Sequence, residues 1–211
     1  MSVAGRPDAG IWEFRTEWRP QTFSSLMCWA AADRMQRIAA AHRLADVKEF
    51  ALAVEAIRDE VLTRAVDVAR GTLVADYGGA ELDAALLQAV TLRLLAPDDP
   101  RAGATIDAVR ADLSMGAWLR RYRADDGFGA PTVAFTLCTF WLVEALAAVG
   151  RTAEARELLA HVGEVRAPLG LLSEDVDPAT GEMWGNFPQA YSHMGLIHAA
   201  FAASPAWADL W

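Results

Sequence analysis

Apolar positions recur at helical spacing along nearly the whole chain. Over residues 22–42, Phe23, Leu26, Met27, Ala30, Met35, Ile38 and Ala39 fall on one broad stripe, the pattern of an amphipathic helix. Asp46, with Glu49 three residues on, reads as a capping box opening a helix to about Val68. Gly71–Gly79 is a glycine-bounded connection with room for a short extended piece. A helix over 81–94 follows, and Asp99 before Pro100 predicts an N-cap opening a helix to about Ser114. Beyond the loop 120–131, rich in Gly and charge, an apolar helix over 132–149 is closed by Gly150. Thr152 caps a polar, amphipathic helix to about Gly163. Residues 170–187 carry turn chemistry without a period, and Pro188 starts a last helix to about Ala203.

These seven helices alternate in character. Segments 22–42, 82–94, 132–149 and 188–203 are apolar on most faces, whereas 46–68, 100–114 and 152–163 carry many more charges. Alternating buried and solvent-facing helices suggest an all-α fold with an inner ring wrapped by an outer one. A helical bundle or a helix-pair solenoid gives a similar pattern, although no fixed-period repeat of the tetratricopeptide kind is visible.

Charge narrows the function classes. Among 211 residues, 28 Asp and Glu face 19 Lys and Arg, so the net charge of −9 argues against nucleic acid, which calls for a basic stripe. The most apolar run, 134–149, is interrupted by Thr136, Thr139 and Glu144 and falls short of the roughly 20 residues a bilayer requires. The first ten residues, MSVAGRPDAG, have no apolar core, so a secretory signal is not expected and a cytoplasmic location is. Cys28 and Cys138 lie in apolar helical patterns and read as small buried thiols.

Candidate chemistry gathers in the connections. Loops entering the apolar helices hold Trp12–Glu13 with Arg15, Arg120–Arg121–Tyr122, Glu174–Asp175–Asp177, and Trp184 with Asn186. Brought to one end of a ring, they would supply aromatic faces for sugar rings, polar groups for hydroxyls and paired carboxyls for acid–base work. Solvated acidic loops and packing tryptophans account for the same residues without any site. Metal and cofactor chemistry are not expected. His193 and His198 are five apart and share no helix face, Ser173 and Ser192 have no base at fixed spacing, and the GFGAP segment at 127–131 has no phosphate-loop Lys.

Five stretches, in order, carry a resemblance: GIWEFRTEWRPQTFSSLMCWAAADR (10–34), GGAELDAALL (78–87), APDDPR (96–101), 120–158, and GLLSEDVDPATGEMWGNFPQAYSHMGLI (170–197). Together they resemble the catalytic domain of glycoside hydrolase family 15, the glucoamylase and trehalase family. The resemblance implies a toroid of six helix pairs, (α/α)6, of which residues 10–211 would form about seven helices of twelve, the sixth to the twelfth. Residues 1–9 would be a leader. The first five helices, and the β-sandwich that usually precedes them in bacterial members, would belong to an N-terminal half outside this sequence.

Carried over residue by residue, the resemblance implies that Glu13 is the general acid and Glu174 the general base of an inverting hydrolase. Arg121 and Tyr122 match an Arg-Tyr pair whose Arg holds sugar hydroxyls. Trp12, Arg15, Gln189 and Tyr191 would complete the substrate contacts, the last two forming the wall opposite the base. The family pattern is broken at Thr132-Val133, where many members have Glu-Gly, and at Phe14, where fungal members have a second Glu. The expected activity is exo-acting release of glucose from α-glucoside oligosaccharides or disaccharides, with α,α-trehalase as the alternative. A helical fragment that only binds carbohydrate or protein is the alternative of another class.

Overall fold

In a computed structural model the described residues are 3–205. The first two residues of the 1–9 leader and the last six of the 10–211 portion lie outside them. Seven α-helices occur among the described residues: α1 (Thr22–Ala41), α2 (Val47–Arg64), α3 (Gln88–Thr91), α4 (Pro100–Leu113), α5 (Thr136–Ala148), α6 (Thr152–Val162) and α7 (Ala190–Ala203). A 3-10 turn, Ala84–Leu87, runs straight into α3. Strands are two residues long and confined to the connections.

The helices form two rows, as the alternation of apolar and charged segments predicts. One row is α1, the 3-10 turn with α3, α5 and α7, each packed on the next; α2, α4 and α6 cover it. Helix α5 sits at the centre and touches α3, α4, α6 and α7. Its Phe140, Leu142, Val143 and Leu146 are fully buried on different sides, so an all-round apolar helix is what this position demands. Cys138 is buried with them, whereas Cys28 is only half-buried.

Several boundaries differ from the sequence pattern. The helix expected over 82–94 is a 3-10 turn plus a single α-turn. It stops because Arg93 takes a left-handed φ of 72° and because Pro97 disfavours helical backbone at Ala96. The helix expected over 132–149 begins at Thr136, since Ala134–Phe135 is drawn into a strand beside Asp175–Val176. Likewise 46–68 ends at Arg64, and Val66–Asp67 pairs with Thr72–Leu73 across the glycine-bounded connection. Asp46 precedes α2 without a side-chain capping bond, and Thr152 lies inside α6, whose N-cap is Arg151. Asp99 does cap α4, accepting from the Arg101 N–H at 3.0 Å.

The rows are tied together at one end by a repeated main-chain contact. Each inner helix leaves its first N–H groups without an intrahelical partner. Thr22 N–H donates to the Ala75 carbonyl, Ala84 N–H to Arg121 and Thr136 N–H to Glu174, each at 2.9 Å. The residue just before each helix also pairs antiparallel with the residue following that carbonyl: Gln21 with Asp76, Asp83 with Tyr122, and Phe135 with Asp175. The loop leading to each inner helix is thereby fixed against the start of the one before it.

The inner row is close-packed at one crossing. A Cβ added to Gly195 of α7 would lie 2.7 Å from Leu137 Cδ1 and 3.0 Å from Phe140 Cδ2. By contrast, nothing lies within 4 Å of a Cβ built on Gly103 of α4. Opposite outcomes are expected in urea unfolding. Gly103→Ala gains roughly 0.5–1 kcal/mol from helix propensity. Gly195→Ala loses stability, because overpacking costs about 1–3 kcal/mol against that same gain.

Candidate active site

Trp12, Glu13, Arg121, Phe135, Trp141, Glu174 and Tyr191 line one cavity of about 600 Å³, together with Ile11 and Leu137. They come from three connections, the first two turns of α5 and the first turn of α7, all at the end of the molecule where the main-chain contacts gather. Two carboxyl groups, one guanidinium and four aromatic rings therefore share one space.

Glu13 sits in a tight turn. Its N–H donates to the Gly10 carbonyl at 3.3 Å, and Phe14 N–H donates to Ala9 at 2.9 Å. The turn places Glu13 at φ 55°, in the left-handed region that a residue with a Cβ adopts only at a cost of about 1–3 kcal/mol. Something must hold it, and the adjacent Trp12 is held by four neighbours. The indole Nε1–H donates to Asp83 Oδ2 at 2.8 Å. The ring lies edge-on to Phe135 at 6.0 Å and tilted against Trp141 at 6.1 Å and Tyr122 at 5.7 Å.

Glu174 immediately precedes the central strand of a three-stranded patch, Ala134–Phe135, Asp175–Val176 and Met183–Trp184. Its N–H donates to the Asn186 carbonyl at 3.0 Å, and its Oε2 accepts from Asn186 N–H at 3.0 Å and Asn186 Nδ2 at 2.9 Å. The hairpin closes tightly over this carboxyl group. A Cβ on Gly185, which has φ 76°, would stand 2.7 Å from Glu174 Oε2 and 3.2 Å from Asp175 Oδ2, so glycine is required there.

Arg121 lays its guanidinium over the Phe135 ring at 5.3 Å and the Tyr122 ring at 5.5 Å. Three other expected contacts lie elsewhere. Tyr122 is buried behind Trp12, its hydroxyl donating to Asp126 Oδ2 at 2.6 Å, so it supports the indole instead of facing the cavity. Arg15 stacks on Phe128 at 4.4 Å, outside the cavity. Gln189 is the N-cap of α7 and donates its N–H to the Leu172 carbonyl at 2.9 Å; it does not line the cavity either. His193 accepts from Leu172 N–H through Nε2, a structural duty. Among the described residues no group of three or more potential ligands could hold a metal ion, and no helix is long and apolar enough to cross a membrane.

The model of the family described as "Glycosyl hydrolases family 15" matches residues 4–201. This chain belongs to glycosyl hydrolase family 15. It is 42% identical over 200 residues to a protein named trehalase from Mycolicibacterium smegmatis, a match covering 92% of this chain and 29% of that relative. The chain thus spans under a third of that relative's length. Its fold superposes on a wild-type glycosidase with a TM-score of 0.80 at 24% identity, covering 96% of this chain and 56% of that one. A bacterial glucoamylase complexed with acarbose matches with a TM-score of 0.72 at 15% identity, over 89% of this chain and 34% of that chain.

Two residues lining the cavity of this family 15 chain, and one acid behind its wall, were not singled out by spacing. Phe135 and Trp141 read as core positions of an apolar helix, and no pattern separates them from their neighbours. Asp83 left one signal, a lone acid within the apolar run LDAALL. It is 4% exposed, and burial pushes its carboxyl group up to about 6, against the opposing pull of the Trp12 and Leu86 N–H donors. Asp175 is also pushed up to about 6, by burial first, with Arg121 opposing and Glu174 adding to the rise. Its Oδ1 is buried without a hydrogen-bond partner.

Both carboxyl groups bind protons more tightly folded than unfolded, where the ordinary value is 3.8. Their contribution is fully present below about pH 4 and is lost as pH rises through about 6. Melting temperature is therefore expected to fall between these limits. In Asp83→Asn, which has no proton to lose there, the decline should be visibly shallower across the same series of buffers.

Proposed function

We propose that this chain carries the acid–base pair of an inverting α-glucoside hydrolase whose substrate is trehalose, with Glu13 as general acid and Glu174 as general base. The observation that supports this best is that both carboxyl groups line one cavity with Arg121 and an aromatic wall. In this reading the two helix rows are part of an (α/α)6 toroid, completed by sequence that the longer relatives carry outside the matched span. The protein named trehalase at 42% identity favours trehalose over starch-like oligosaccharides, because the glucoamylase likeness, at 15%, speaks for the fold alone.

The chemistry follows from the positions. Glu13 gives its proton to the glycosidic oxygen as the C1–O bond breaks, and one glucose leaves. A water on the opposite face of the remaining ring loses a proton to Glu174 as its oxygen bonds to C1. Asn186 holds Glu174 Oε2 with two donors and leaves Oε1 for that proton. An inverting pair stands about 6.5–9.5 Å apart to admit the water. Arg121 binds sugar hydroxyls, and Trp12, Trp141 and Tyr191 offer rings to the apolar sugar faces.

The test replaces the matched 200 residues of the M. smegmatis trehalase with this chain. The joined enzyme should hydrolyse trehalose with a higher kcat/KM than maltose. Freshly released glucose, followed by NMR, should be equal parts α and β, because only the attacked ring inverts. Glu13→Gln and Glu174→Gln should each lower kcat by about 10²–10⁴-fold, the worth of acid–base assistance. Glu182→Gln, changed on an exposed loop, should keep full activity. Purely α product, or full activity in either catalytic-pair variant, overturns the assignment.

A further inference from the structure

The cavity wall depends on a residue that does not touch the cavity. Asp83 caps the 3-10 turn at the start of the second inner segment, its Oδ1 accepting from Leu86 N–H at 3.2 Å. The same residue bridges antiparallel to Tyr122, and the next N–H, of Ala84, holds the Arg121 carbonyl. Its other oxygen, Oδ2, reaches 71 residues back in sequence to the indole N–H of Trp12 at 2.8 Å. Asp83 therefore joins three pieces, two through its carboxylate and one through the main chain beside it: the turn bearing Glu13, the inner helical segment it caps, and the connection bearing Arg121.

From this geometry we infer that Asp83 is the positioning residue for the general acid: it clamps the Trp12 indole and so holds the strained turn that carries Glu13. The inference rests on the proposed role of Glu13 for its catalytic consequence, but not for its structural one. The main-chain bonds from Glu13 N–H, at 3.3 Å, and Phe14 N–H, at 2.9 Å, close the Glu13 turn on itself, and the Glu13 side chain is exposed, so neither fixes the turn against the inner helices. What opposes relaxation of the positive φ is the indole next door. Its ring contacts to Phe135, Trp141 and Tyr122 are apolar and tolerate sliding, whereas a 2.8 Å hydrogen bond fixes direction. The acceptor is a carboxylate only 4% exposed, so breaking the bond leaves a buried oxygen without its donor.

Two measurements test this independently of each other. In the chain itself, hydrogen exchange by NMR should show the Glu13 amide and the Trp12 indole N–H exchanging at least tenfold faster in Asp83→Ala, while amides of α5 keep their wild-type rates. Should Asp83→Ala not fold, Asp83→Asn, which retains one acceptor, should show the same effect at smaller size. In the joined enzyme, Asp83→Ala should lower kcat by about 10²-fold, the effect of a misplaced catalytic group, with KM changed less than threefold. Trp12→Phe should cause a comparable loss, and the double variant should lose no more than the worse single one, because the two changes remove one interaction.

Unchanged exchange at Glu13, or equal acceleration throughout α5, overturns the clamp and leaves Asp83 an ordinary structural acid. Faster exchange at Glu13 with unchanged kcat also overturns it as a positioning residue, while Glu13→Gln would still report on the catalytic assignment. Full activity of Glu13→Gln would instead remove the acid assignment and leave the exchange result standing.

Discussion

The arrangement of loops at the functional end follows from the first N–H groups of the inner helices, which have no partner within their own helix. An exposed helix gives such donors to water or to a capping side chain. Here α1 and α5 begin without a side-chain cap, and the carbonyls of Ala75 and Glu174 supply what the caps do not, while the 3-10 turn has the Arg121 carbonyl in addition to its Asp83 cap. Because each carbonyl belongs to the loop that leads to the next inner helix, satisfying the donors draws successive loops to the same end. The site is thus a consequence of helix capping carried out by neighbours instead of by the helix's own sequence.

The same bond has a chemical consequence. Two of the three accepting residues, Arg121 and Glu174, also place their side chains in the cavity. Their main chains are pinned to a helix start, so the side chains begin from a rigid base, which is what a catalytic carboxyl group or a hydroxyl-binding guanidinium needs. Glu13 is positioned differently, by a turn in a left-handed conformation and an indole anchored on Asp83. One carboxyl group is held by main-chain pairing and the other by a side-chain clamp, and the two supports share no hydrogen bond.

Helix count, the alternation of rows and the loops that matter were legible in the sequence because burial acts on every residue of a helix face. Gly150 closing α5 and Asp99 capping α4 were legible for a local reason: both act within a few residues of themselves. What escaped was non-local. Nothing near Ala134 announces that it will pair with Val176, and the apolar run there reads as more helix. Phe140 is covered by α7 through Gly195, a contact that nothing near either residue in the sequence announces, while Ile197 on the same helix is about half exposed. Tyr122 matched a motif by its neighbours, yet the pairing of its backbone with Asp83 turns its ring behind Trp12.

The resemblance supplied names for residues, and the physics supplied reasons for only some of them. Arg121 and Glu174 are explained by the pairing that pins their backbones, and Glu13 by the anchored turn. Tyr191 is different: it lies 65% exposed on the first turn of α7, with no aromatic partner among the described residues. A ring so placed gains little from packing in this chain, and its place beside Glu174 and Trp141 at the cavity is what gives it a use. Its neighbour Gln189 stands at the N-cap position of the same helix without a side-chain capping bond, and the three earlier inner segments each hand their first N–H to a later loop. Helix α7 is where that sequence of hand-offs stops among the described residues. The structure is therefore least determined by this chain at the side of the cavity that Tyr191 forms, and most determined at Trp12, Arg121 and Glu174.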